Sequence, residues 1–175
     1  RPKNKDLFNL QDLCSSSVSI TIPSTTKLIG AKAFEGCSFL QKITIPSSVT
    51  KIEFNCFENC SSLKEITISN GVTYIGSCAF LNCSSLKEIE IPSSVTFIGF
   101  NAFKGCLSMT RIIIHSSIKS VGVSLFEGFK SLEVLGTTNN IPDKLFYKCS
   151  TITKISLPSS VTTIGDDAFN DCSSL

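Results

Sequence analysis

The feature that most constrains this chain is a 23-residue period. Cys83 to Gly105 reads CSSLKEIEIPSSVTFIGFNAFKG, and the same residue types return in the same slots on either side of it. Units aligned on the first position begin at Cys14, Cys37, Cys60, Cys83, Cys106, Phe129 and Cys149, with a fragment at Cys172. Every step is 23 residues except that from Phe129 to Cys149, which is 20. A fixed period in this range marks a stacked array, because one such unit cannot bury its own apolar face and its neighbours must cover it. Residues 14–175 therefore read as a β-solenoid of six 23-residue units, one 20-residue unit at 129–148 and a truncated last unit.

Each slot has a physical reading. A large apolar residue follows three positions after the start (Leu40, Leu63, Leu86, Met109, Leu132, Ile152), then an alternating pair such as Ile43/Ile45, Ile66/Ile68, Ile89/Ile91 and Ile112/Ile114. Period-two alternation of branched residues predicts a half-buried strand. Proline at 23, 46, 92 and 158 ends it, since proline cannot donate the next pairing bond. A second short strand runs from Val49, Val72, Val95 or Val161 toward an Ile-Gly pair such as Ile75-Gly76 or Ile98-Gly99. The unit closes on a phenylalanine column, Phe34, Phe57, Phe80, Phe103, Phe126, Phe146 and Phe169, in a segment long enough only for a turn or a 3₁₀ turn. At about 4.8 Å per rung, seven rungs would build a rod roughly 34 Å long.

This pattern, C-S-S-L-K-E-I-x-I-P-S-S-V-T-x-I-G-x-x-A-F, resembles the BspA-like class of leucine-rich repeats across residues 14 to 175. The resemblance implies a β-rich leucine-rich-repeat solenoid, a curved right-handed superhelix with a strand-lined concave face and short turns or 3₁₀ segments. It also implies a surface-exposed adhesion protein whose partner is an extracellular matrix or host surface protein, located at the cell surface or outside the cell. An intracellular scaffold of the same architecture, in the cytoplasm, is the alternative. Residues 1–13 fit the pattern poorly and are expected to form an irregular cap around Leu7, Phe8, Leu10 and Leu13, and Ser17 stands where the first unit should carry leucine. The chain starts at Arg1 without a signal-like segment and stops at Leu175, four residues into a unit, so it reads as a piece of a longer array.

Composition narrows the function. The chain is 42% hydrophobic and 17% charged with a net charge of +2, and no basic cluster stands out, so nucleic acid is not an expected partner. No apolar run approaches the 18 to 20 residues or so of a membrane helix, so direct membrane insertion is not expected either. Seven of the nine cysteines (14, 37, 60, 83, 106, 149, 172) occupy one slot, and Phe129 replaces the eighth, which favours packing over ligation. Cys56 and Cys78 lie on neighbouring rungs within disulfide reach, and whether they are bonded is open. Cys56, Cys60, Cys78 and Cys83 superficially resemble zinc spacing, but two of them already belong to the column, so no metal or other cofactor is expected. The sequons at Asn59 and Asn82 arise from the repeat wording itself.

His115 is the only histidine and takes the slot usually held by proline; no nucleophile motif surrounds it, and it reads as a surface residue at a strand end. Without a convergent titratable cluster, the chain is expected to be a binding module and not an enzyme. The outward positions of the first strand are the leading candidates. One column is expected to run Ser19, Lys42, Glu65, Glu88, Arg111, Val134, Lys154, and the next Thr21, Thr44, Thr67, Glu90, Ile113 and, beyond the short unit, Ser156. This face is either a solvated surface with Lys42–Glu65 and Glu88–Arg111 cross-strand pairs, or a ligand surface with an acidic centre and an apolar spot at Ile113. A secondary aromatic patch comprises Phe54, Tyr74, Phe97 and Phe100, either exposed or packed on one another. The short unit loses three residues between Leu135 and Ile141, read as a shortened loop or as a local change of curvature or site.

Overall fold

Strands alternate between two faces of a coil. A computed structural model describes residues 7, 8, 14, 18–115 and 118–175. The short strands are β1 (Leu7–Phe8), β3 (Leu28–Ile29), β5 (Lys51–Ile52), β7 (Tyr74–Ile75), β9 (Phe97–Ile98), β11 (Ser120–Val121), β13 (Asn140–Ile141) and β15 (Thr163–Ile164). The longer ones are β2 (Ser19–Thr21), β4 (Lys42–Ile45), β6 (Glu65–Ile68), β8 (Glu88–Ile91), β10 (Arg111–Ile114), β12 (Ser131–Gly136) and β14 (Lys154–Ser156). All pairings are parallel and join like strands of successive rungs. The described residues form a β-solenoid without helices. The expected cap and Ser17 lie outside the described residues, apart from β1, which pairs with β3 and extends the short-strand ladder by one rung.

The alternation of each long strand is the burial pattern. β4, β6 and β8 each run exposed, buried, exposed, buried, so the isoleucine pairs enter the core and the intervening residues face out. The phenylalanine column is a stack: Phe34 on Phe57 at 5.1 Å, Phe57 on Phe80 at 5.4 Å, Phe80 on Phe103 and Phe103 on Phe126 at 5.8 Å. It continues past the short unit, with Phe126 to Phe146 at 5.4 Å and Phe146 to Phe169 at 5.1 Å. Each rung thus supplies to its neighbours the contacts it cannot make alone. Glycine closes the second strand because the rungs meet there: a Cβ on Gly99 would collide with the Ser77 backbone nitrogen.

The segment carrying phenylalanine is a pair of turns. Its two left-handed positions also recur in columns, one through Asn55 (φ 55°), Cys78 (57°) and Asn101 (58°), the other through Gly36 (71°), Asn59 (61°), Asn82 (60°) and Gly105 (79°). Glycine and asparagine tolerate this conformation best. That explains the sequons: Asn59 and Asn82 fill a slot that other rungs give to glycine, and Asn82 Nδ2 donates to Asn59 Oδ1 at 3.0 Å. Backbone N–H groups of these turns donate to the following rung, as Phe34 to the Cys56 carbonyl and Phe57 to the Ala79 carbonyl, both at 2.8 Å. Beside the strands the direction is reversed, with Thr73 donating to the Thr50 carbonyl and Gly76 to the Ile52 carbonyl, again at 2.8 Å.

The cysteine column is a ladder of buried donors. Cys60 Sγ donates to the Phe34 carbonyl at 3.0 Å, and Cys83 and Cys106 donate to the Phe57 and Phe80 carbonyls at 3.1 Å. Burial pushes the Cys60 thiol up to about 12 and raises Cys56 as well. These thiols are inert donors, because reactivity needs the thiolate. Cys56 and Cys78 are both free. One pair departs from the reading of the column as packing thiols: Cys14 and Cys37 are joined in a disulfide with Cα atoms 4.5 Å apart. One rung step falls within the reach of a disulfide, which is why the slot permits it.

The short unit does not simply trim a loop. β10 pairs with β12 at a step of 22 residues, as in Ile112 with Val134, whereas β12 pairs with β14 at the regular 23, as in Leu132 with Ile155. The phenylalanine column steps by 20 over the same rung, from Phe126 to Phe146. One of the three missing residues is therefore lost ahead of β12 and the other two after it. A one-residue change of register exchanges the faces of a strand. Val134, expected outward beside Arg111, is accordingly buried, and Glu133 faces out in its place. Thr138 occupies the slot that Val49 and Val72 fill elsewhere, and its hydroxyl donates to the Asn140 carbonyl at 2.9 Å, so the buried oxygen is satisfied.

Candidate functional site

The outward residues of the long strands form two exposed columns over a continuous apolar core. In the first, Ser19, Lys42 and Glu65 are in register, as are Glu88, Arg111, Glu133 and Ser156. Lys154 does not lie beside Arg111 as expected; it pairs with Ser131, and Ser156 takes the position in line with Arg111. In the second column Thr21, Thr44 and Thr67 align, and Glu90, Ile113 and Leu135 align. The ladder is interrupted between β6 and β8, which belong to separate sheets. Glu65 and Glu88 hold the same slot on these two rungs, where like charges side by side disfavour pairing.

Most of the charges on this face are matched across rungs. Lys42 Nζ lies 3.3 Å from Glu65 Oε2, and Arg111 lies 2.9 Å from Glu88 Oε2, which are the two cross-strand pairs expected. Both pairs are well exposed, so each stabilises the coil by only about 0.2–1 kcal/mol. They fix where charge is presented more than they hold the fold. Ile113 and Leu135 are half-buried neighbours, so the apolar spot spans two rungs. Leu135 was not legible as part of it because the one-residue step ahead of β12 has no residue signature of its own.

His115 sits at the end of β10 between two polar partners. Nε2 is 3.0 Å from Glu90 Oε1, and Nδ1 is 3.0 Å from the Thr137 hydroxyl. A carboxylate, an imidazole and a hydroxyl are thus in line. The neighbouring N–H groups of Thr137 and Thr138 are both committed to the Ile114 carbonyl and offer no donors for an oxyanion. The arrangement braces the end of the strand where proline stands in other rungs.

The aromatic patch separates into two columns. Tyr74 and Phe97 are register partners whose rings stack at 4.8 Å, and the Lys51 ammonium lies 5.7 Å from the Tyr74 ring centre. Phe54 and Phe100 stand in a neighbouring column, on either side of the Ser77 rung, and are 48% and 47% exposed. The first pair packs on itself; only the second offers open aromatic surface. Among the described residues no group of three or more His, Cys, Asp or Glu side chains could hold a metal ion, and no helix is long and apolar enough to cross a membrane.

The model of the BspA-type leucine-rich repeat region matches residues 8–133 and 138–175, in six copies. The chain belongs to this family. The gap in the match, 134–137, falls in and just after β12, at the change of register. Among solved structures, a leucine-rich repeat protein from T. pallidum is similar at 30% identity and a TM-score of 0.73, over 91% of this chain and 78% of that one. Another from Eubacterium ventriosum matches at 31% identity and a TM-score of 0.77, over 99% of this chain but only 47% of its own length. No curated protein matches. Repeat solenoids of this kind present extended surfaces to protein partners, and this chain is a protein-binding repeat module by family.

Proposed function

We propose that the module belongs to a cell-surface adhesion protein and binds a host or matrix protein through its long-strand face. The observation that carries this is the separation of roles within each rung. Isoleucine, leucine, cysteine and phenylalanine columns are buried almost without exception, while Lys42, Thr44, Glu65, Thr67, Glu88, Glu90, Arg111 and Ile113 vary over the outward positions of two successive sheets. Side chains held at fixed spacing by a core they do not belong to lose little entropy on binding. The alternative, an intracellular scaffold, draws support from the seven free cysteines, and the Cys14–Cys37 disulfide weighs against it.

The test is an immobilised extract of host matrix proteins, with bound species identified by mass spectrometry and affinity measured for each. Replacing Glu65, Glu88 and Glu90 together with alanine is expected to weaken the specific interaction about tenfold while leaving the unfolding midpoint close to that of the parent. Unchanged affinity with an intact fold would remove the long-strand face from consideration.

A further inference from the structure

The change of register leaves one part of the long-strand face unlike the rest. The charges on β4, β6, β8 and β10 are each engaged on another rung, Lys42 with Glu65, Arg111 with Glu88 and Glu90 with His115. Glu133 on β12 and Lys154 on β14 have no ion pair among the described residues. They cannot reach a direct pairing position with each other, because Lys154 is in register with Ser131 and Glu133 with Ser156. They stand on a diagonal instead, roughly 8 Å apart at the backbone from strand spacing and rise. Between them lies a groove of about 380 Å³ lined by Thr110, Ser131, Leu132, Glu133, Lys154 and Ser156.

The complement of this site is a chain with one cation and one anion at matching separation. Residues two apart on one face of an extended peptide are about 6.6–6.8 Å apart, comparable to the backbone separation of Glu133 and Lys154. The hydroxyls of Thr110, Ser131 and Ser156 can meet its peptide groups, and Leu132 forms an apolar floor. We propose that this groove takes an extended peptide segment of the partner, with a basic residue over Glu133 and an acidic residue two positions away over Lys154. The proposal rests on the reading of the long-strand face as the binding face and names the feature of the partner that the short rung selects.

The experiment is a phage library of random dodecapeptides panned on the immobilised 175-residue chain. Enriched clones should carry a basic and an acidic residue two positions apart. As synthetic peptides they should bind the E133K/K154E double variant at least about tenfold more weakly, and their charge-exchanged versions should recover binding to that variant. Both side chains are exposed, and circular dichroism with a denaturation curve verifies that the variant is folded. Equal binding to parent and variant, or no enrichment above the blank surface, overturns the proposal. Peptides that lose binding to the Glu65, Glu88 and Glu90 alanine variant but not to E133K/K154E would keep the face and remove the groove. The opposite result would keep the groove and remove the central strands.

Discussion

The regular rungs and the short rung solve the same packing problem with different amounts of chain. Between residues 37 and 105 every column advances by 23, so strand, turn and phenylalanine move together. At the short rung they separate: the long strand steps by 22 and the phenylalanine column by 20. The core column absorbs the loss without a gap, since Phe146 is as deeply buried as Phe103. The surface does not, because a one-residue change exchanges inward and outward positions. Deletions in a solenoid are therefore conservative inside and inventive outside.

The phenylalanine stack should show the largest effect. Phe103→Ala in a regular rung and Phe146→Ala in the short one should each cost about 3–5 kcal/mol of unfolding free energy in a denaturant titration. A much smaller loss at Phe146 would mean that the stack does not survive the deletion. Next is the register itself. Val134→Ala should cost about 1.5–3 kcal/mol by the same measurement, whereas Glu133→Ala should fall within about 0.5 kcal/mol of the parent. The reverse order would restore the regular 23-residue step. The smallest effect is electrostatic: a double-mutant cycle on Lys42 and Glu65 should return a coupling of about 0.2–1 kcal/mol that fades with added salt. The equivalent cycle on Glu133 and Lys154 should return none, and a coupling of similar size would show that these two charges already satisfy each other.

Much of the fold is legible from the residues because each slot has one physical demand. Ile43 and Ile45 announce a strand, Gly99 the end of the second strand, and Phe103 a buried column, and the demand is repeated until it is unambiguous. The face is legible where the step is regular, which is why the Lys42–Glu65 and Glu88–Arg111 pairs could be read directly. It fails at Val134, because a missing residue can be lost on either side of a strand and composition does not say which. The regular 23-residue step would turn Leu135 inward and Val134 outward; pairing of Val134 with the buried Ile112 shows that Leu132 and Val134 take the inward face instead. His115 with Thr137 was hidden for the same reason, lying across the same irregular step. The asparagine column was read as a by-product of repeat wording, and its reason is conformational: the slot needs a residue at ease with positive φ.

The two directions of backbone donation have an electrostatic consequence. In an α-helix all peptide dipoles point one way and add along the axis. Here the peptides of the phenylalanine turns point toward the following rung, while those flanking the strands point toward the preceding one. Along the rod their fields subtract. Lengthening the stack therefore accumulates less axial polarity than the same number of aligned peptides would, and the charge that a partner meets on this module is carried mainly by its side chains.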